Sequence, residues 1–75
     1  MIENEYALYF DDILMDTFEL TDEDFTIMLK SVGAFDFYDQ NKDLQETWFN
    51  ITDGSQIPKI TFVNLTTLEK WEKLE

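Results

Sequence analysis

A chain of 75 residues that carries 17 carboxylates against five lysines can fold only if nearly every acid reaches water and its apolar side chains supply the opposing attraction. The imbalance is uneven. Nine acids fall within residues 1–29, where no basic side chain occurs. Residues 30–53 add five acids against Lys30 and Lys42, and residues 54–75 set three acids against three lysines, so the formal net charge of -12 originates in the first 53 residues. Against this repulsion stand 44% hydrophobic and 16% aromatic residues, a composition far from that of intrinsic disorder. A length of 75 residues supports one core, and the expectation is a single small acidic domain over residues 1–75.

The inventory excludes much. The chain has no His, Cys or Arg, so the usual groups of tuned pKa are missing and a disulfide framework is ruled out. A domain this small also has little room for an enclosed pocket, and the reading is a protein that is not an enzyme and uses no cofactor. The opening MIENEYALYF lacks the basic region of a signal peptide, and no apolar run approaches the ~18 residues that span a bilayer. The expected location is therefore the cytoplasm. Anionic membranes and nucleic acid would both repel the chain, which excludes either as a direct partner.

Local patterns suggest an α+β fold of two N-terminal helices, a small antiparallel β-sheet of two to three strands and a C-terminal helix. Tyr6, Phe10, Ile13, Leu14 and Thr17 recur at helical spacing, which predicts a helix over about residues 4–18, although the aromatic and Ile content also suits a strand. Thr21 followed by Asp22, Glu23 and Asp24 has the form of an N-cap with an acidic first turn, and Phe25, Met28, Leu29 and Val32 extend a helix over 22–32. Gly33 stands where a left-handed C-terminal residue belongs. Beyond it, Phe35 and Phe37, then Thr47, Phe49 and Ile51, alternate as strand residues do, and Lys59 to Val63 is rich in β-branched types. A hairpin over 47–64 follows from that pattern. Thr66 to Glu69 has the form of a capping box opening a last helix that carries Leu68, Trp71 and Leu74.

Two chemical motifs fail on inspection. Asp39-Gln40-Asn41-Lys42-Asp43 reproduces the opening of a calcium loop, but Leu44 stands where Gly is required and Asn50 where a bidentate Glu is required, so no metal site is expected. Neither Ser31 nor Ser55 lies in the helix-start motif that carries the prosthetic group of acyl carrier proteins.

The acids themselves are the remaining signal. On a helix, Glu5, Asp12, Asp16 and Glu19 would share one face, with Glu5 and Asp12 about 10.5 Å apart along the axis, on the scale of successive phosphates of a duplex. Asp22, Glu23 and Asp24 have a local reason in helix capping, while ordinary solvation would mix lysines among the acids, as residues 69–73 do. The candidate partner-binding carboxylates are Glu5, Asp12, Asp16, Glu19, Asp22, Glu23, Asp36, Asp39, Asp43 and Glu46.

In size, charge, absence of cysteine and unmixed acidic surface, the chain resembles the DNA-mimic inhibitors of bacteriophages and mobile elements. These act on the histone-like protein HU, uracil-DNA glycosylase, restriction enzymes or CRISPR complexes. The resemblance is compositional and covers mainly residues 1–53. It implies a stoichiometric competitor in the bacterial host, in which carboxylates posing as phosphates occupy the DNA-binding surface of a basic protein; a nucleoid protein of the HU type is the favoured target. The alternative is an acidic adaptor that binds its partner mainly through apolar contacts. Under either reading, abundant aromatics around a small core leave apolar surface for a homodimer.

Overall fold

The computed structural model describes residues 2–53 and 57–74. It is an α+β fold, but its elements run β1 (Glu3–Phe10), β2 (Ile13–Thr21), α1 (Asp22–Ser31), α2 (Ala34–Gln40), α3 (Lys42–Thr52), β3 (Ile60–Asn64) and β4 (Lys70–Lys73). All strand pairs are antiparallel in the order β2-β1-β3-β4, so strands from both ends of the chain form one four-stranded sheet. This overturns the expected order of two N-terminal helices, a sheet and a C-terminal helix.

The predicted helix over residues 4–18 is instead the β1–β2 hairpin. Along β1, Tyr6, Leu8 and Phe10 are buried against the helices, and period-two alternation sends Glu3, Glu5, Ala7 and Tyr9 to the other face. Asp11 and Asp12 make the turn, with Asp11 at φ 54°, a left-handed conformation that Asp tolerates better than most residues. Asp11 is tied to the residue that precedes β3: its N–H donates to Lys59 O at 2.8 Å, and its carboxylate accepts the Lys59 N–H at 3.0 Å. A bulge lies on β2, where Leu8 pairs with Asp16 but Tyr9 pairs with Leu14, leaving Met15 as the extra residue. Met15 packs against the core; Asp16 beside it is exposed, and Glu19 alternates outward between Phe18 and Leu20.

Helix α1 forms as its cap dictates: Thr21 Oγ1 accepts the Asp24 N–H at 3.1 Å and Phe25 is buried. Gly33 does not close this helix. It lies at φ -78° and precedes α2. The two strands expected at 34–37 and 47–51 are helices α2 and α3. In α2 the buried residues are Ala34, Phe37 and Tyr38, at i, i+3 and i+4; in α3 Trp48 is buried and Leu44 packs one turn before it. Phe35, Phe49 and Ile51, which imitated strand alternation, are half-exposed on the helical surface. Helix α3 ends at Asp53 in a left-handed conformation whose N–H donates to Phe49 O. The expected hairpin over 47–64 therefore does not form, and residues 54–56 of its loop lie outside the described set.

The predicted C-terminal helix is a turn followed by β4. Buried Asn64 accepts the N–H groups of Thr66 and Thr67 on its side-chain oxygen, and Thr67 Oγ1 accepts the Glu69 N–H, so the supposed capping residues close a turn. All three helices pack on the same face of the sheet, where Phe25, Phe37, Tyr38 and Trp48 meet Tyr6, Leu8, Phe10, Ile60 and Phe62. Among the described residues no helix packs on the opposite face, although Ala7 and Val63 on it are buried by their neighbours. None of the described helices is long and apolar enough to cross a membrane.

Lys73 is 5% exposed, and its ammonium donates to Met28 O at 3.2 Å and to Leu29 O at 2.5 Å, carbonyls at the C-terminal end of α1. Burial pushes its pKa below the usual lysine value. Replacing it with methionine keeps the length of the side chain but removes the donors. Lys73→Met is expected to lower stability by about 1 kcal/mol, measured by urea denaturation with tryptophan fluorescence.

Candidate partner-binding surface

Each of the described carboxylates is exposed, yet only two of them, Asp39 and Glu72, form an ion pair with a lysine among the described residues. The fold distributes them over three regions instead of gathering the expected helical stripe. Glu5 and Glu19 are direct cross-strand partners on the uncovered sheet face. Asp12 lies in the β1–β2 turn, and Asp16 lies beside the bulge on the edge strand β2, where its carboxylate accepts the Thr17 N–H at 2.8 Å. The four residues thus share a hairpin but form no single row. Two like charges placed opposite one another oppose strand pairing, whereas acids along β2 protect a nine-residue edge from pairing with other chains.

The helical layer holds the other six candidates. Asp22 and Glu23 occupy the first turn of α1. Asp22 also joins the start of α1 to β1, since its carboxylate accepts from Asn4 Nδ2 at 2.7 Å and from the Tyr6 hydroxyl at 2.9 Å. Burial of Tyr6, then the adjacent Asp22 carboxylate, holds the phenol above its ordinary pKa. Asp36 opens α2 and Asp43 opens α3, where the helix dipole favours an acid. Asp39 pairs with Lys42 at 3.1 Å across the junction of the two helices, and Glu46 follows Asp43 by one turn. The spacing 36, 39, 43, 46 keeps all four acids on the outward side, away from buried Phe37, Tyr38 and Trp48. The segment that imitates a calcium loop is this helical junction, and no three potential metal-ligating side chains cluster among the described residues.

The uncovered sheet face holds residues that the sequence pattern did not single out. Tyr9, Thr61 and Val63 floor a shallow concavity of about 480 Å³, bordered by Asp11, Asp12, Lys59, Lys70 and Glu72. Lys59 and Glu72 form an exposed ion pair at 2.8 Å, and Glu72, with smaller help from Asp12 and Asp11, raises the Lys59 pKa. The signal was present in the sequence, because three of the five lysines fall after residue 53, where they balance the acids. A second cleft of about 370 Å³ opens between α1 and the β3–β4 turn, lined by Tyr6, Asp22, Phe25, Asn64, Glu69 and Trp71. Trp71 is half-buried and Trp48 fully buried, so both serve the core.

No protein-family model matches the chain, and no curated protein or solved structure shows significant similarity to it.

Two outcomes are expected from this arrangement. Glu19→Gln removes the like-charge contact with Glu5 and should raise stability by about 0.5 kcal/mol at low ionic strength, with the gain shrinking as salt screens the pair; urea melts at sub-micromolar protein measure it. For Tyr6 the folded pKa lies above the unfolded one, so its contribution is complete below the ordinary phenol value of 10 and is lost as pH rises through the raised value. Tyr6→Phe should therefore be about 1 kcal/mol less stable than the parent near neutral pH. That difference should close above pH ~10 in melts recorded across the alkaline range.

Proposed function

We propose that the protein is a DNA-mimic inhibitor that occupies the DNA-binding surface of a basic host protein, acting by stoichiometric competition and not by catalysis. The observation that carries this reading is the set of exposed carboxylates, nearly all without a lysine partner among the described residues, spread along an elongated body of 39 × 21 × 18 Å. That length is close to one turn of duplex, about 34–36 Å. A duplex of 39 Å carries about 23 phosphates, and a protein on one side of it meets about half of them, comparable with the net charge of -12. Asp12 and Asp16 on the hairpin, Asp22 and Glu23 on α1, and Asp36, Asp39, Asp43 and Glu46 on α2 and α3 stand in for phosphates, while Glu5 and Glu19 lie apart from these on the sheet face. The favoured target is a nucleoid protein of the HU type in the bacterial cytoplasm; restriction, CRISPR and DNA-repair proteins offer the same basic chemistry.

Half-exposed Ile27, Phe35, Phe49 and Ile51 on the helices favour one other reading, an acidic adaptor that docks through apolar contacts. Competition separates the two. A purified HU-type protein bound to fluorescent duplex should release the DNA as this chain is added, with affinity for the chain falling tenfold or more between about 50 and 200 mM salt. The combined change Asp36→Asn, Asp39→Asn, Asp43→Asn and Glu46→Gln should abolish that release. An adaptor would lose association rate and little else. A complex between the two proteins that persists under saturating duplex overturns the mimic.

A further inference from the structure

We propose that the uncovered face of the sheet is the interface of a homodimer, with two copies packed sheet to sheet about a two-fold axis that follows a diagonal apolar band. Register defines the band. Tyr9 lies beside Leu14 of β2, Ala7 beside Val63 of β3, and Leu65 follows at the end of β3, where its N–H donates to Glu5 O at 2.9 Å. Leu14, Tyr9, Ala7, Val63 and Leu65 therefore cross the face from the start of β2 to the end of β3. Its centre is shielded by neighbouring side chains, with Ala7 at 1% and Val63 at 8% exposure, while Tyr9 is half-buried and the two ends stand open, Leu14 at 54% and Leu65 at 39%.

Charge differs across this band. On one side lie Glu5 and Glu19, paired across β1 and β2; on the other lie Lys70, opposite Val63 on β4 with no ion pair among the described residues, and the mutually paired Lys59 and Glu72, with Asp11 and Asp12 at the border. An axis lying along the band carries each side of one copy onto the opposite side of the other. Band then meets band, and Glu5 and Glu19 meet Lys70 of the partner subunit. The like-charge contact, unfavourable in a single copy, becomes part of an ion-paired group in the dimer. A closed two-fold contact of this kind is self-complementary, which a face of uniform charge could not be.

Size and repulsion are both compatible with the pairing. The four strands hold 8, 9, 5 and 4 residues, and at about 3.3 Å rise and about 4.8 Å spacing they give roughly 400 Å² in plan. Side-chain relief enlarges this, but it stays below the ~800 Å² per partner of a standard interface, which suits a dimer of modest affinity. The acids of α1, α2 and α3 lie on the far side of each sheet, beyond the ~8 Å over which charges act at physiological salt.

Sedimentation equilibrium from micromolar to millimolar protein at physiological salt tests the proposal. The expected result is a monomer–dimer equilibrium with a dissociation constant in the micromolar range. Lys70→Glu should raise that constant about tenfold or more, and Glu19→Lys combined with Lys70→Glu, which restores the net charge, should return it to within about threefold of the parent. Lys42→Glu, the same change of net charge placed on the helical layer, should leave it within about threefold. Glu19, Lys42 and Lys70 are all exposed, so each variant is expected to fold, with far-UV circular dichroism as the check. A strict monomer at millimolar concentration overturns the interface. So does equal weakening by Lys42→Glu and Lys70→Glu, or failure of the double reversal to restore pairing.

Discussion

The structure depends on a cluster of rings closed around Phe62. This residue, fully buried on β3, meets Phe18, Phe25 and Phe37 edge-on at centroid distances of 5.9, 5.7 and 5.5 Å. Tyr6 stacks on Phe25 at 4.0 Å, and Phe10 joins Tyr38 and Trp48 at 5.8 and 5.7 Å. The rings come from β1, β2, β3 and all three helices, so one cluster joins nearly every element. Each contact of this kind adds about 0.5–1.5 kcal/mol beyond the area it buries. A chain whose acids repel one another needs that density, because a core of 75 residues has little else to set against repulsion. It also explains why one sheet face is left bare: the aromatic side chains are concentrated on the other.

The same concentration decides how legible the fold was. Helix α1 could be read because its cap, acidic turn and apolar period agree. Strand β3 could be read because Ile60, Thr61, Phe62 and Val63 suit nothing else. The hairpin was missed because Ala7 and Tyr9 put apolar side chains on both faces of β1, while the bulge at Met15 breaks the alternation of β2. Its turn, Asp11-Asp12, holds no Gly or Asn to announce it and resembles part of an acidic stripe. Helices α2 and α3 were misread for the opposite reason: Phe35, Phe49 and Ile51 lie half in water and complete a false period of two. The last strand illustrates tertiary override. Pairing with β3 and the anchoring of Lys73 under α1 decide residues 70–73 against the capping pattern before them.

For the candidate surface, the sequence carried the amount of charge but not its arrangement. That acids would be exposed follows from solvation alone. That Glu5 would oppose Glu19 depends on a hairpin register set by core residues several positions away. Asp22 shows the limit from the other side: helix capping accounts for its position in the first turn, while its bonds to Asn4 and Tyr6 bridge 18 and 16 residues and could not be inferred locally. The lysines were the more informative residues. Lys73 is consumed inside the fold, Lys42 and Lys59 are paired, and Lys70 lies at the border of the bare face.

That division gives the two proposed surfaces a common physical logic. Two strongly acidic bodies cannot approach through surfaces of like charge, so a second copy can dock only where lysines and apolar groups interrupt the acids. β3 and β4 supply such a region, since residues 54–75 carry no net charge. A basic partner has the reverse preference and is drawn to the helices, where Asp36, Asp43 and Glu46 have no lysine partner among the described residues. The two associations also respond to different charges. Neutralising helical acids weakens attraction to a basic target but, because those acids lie beyond the screening length from the sheet face, leaves the pairing of copies nearly unchanged, so the two surfaces can be perturbed independently even on a chain this small.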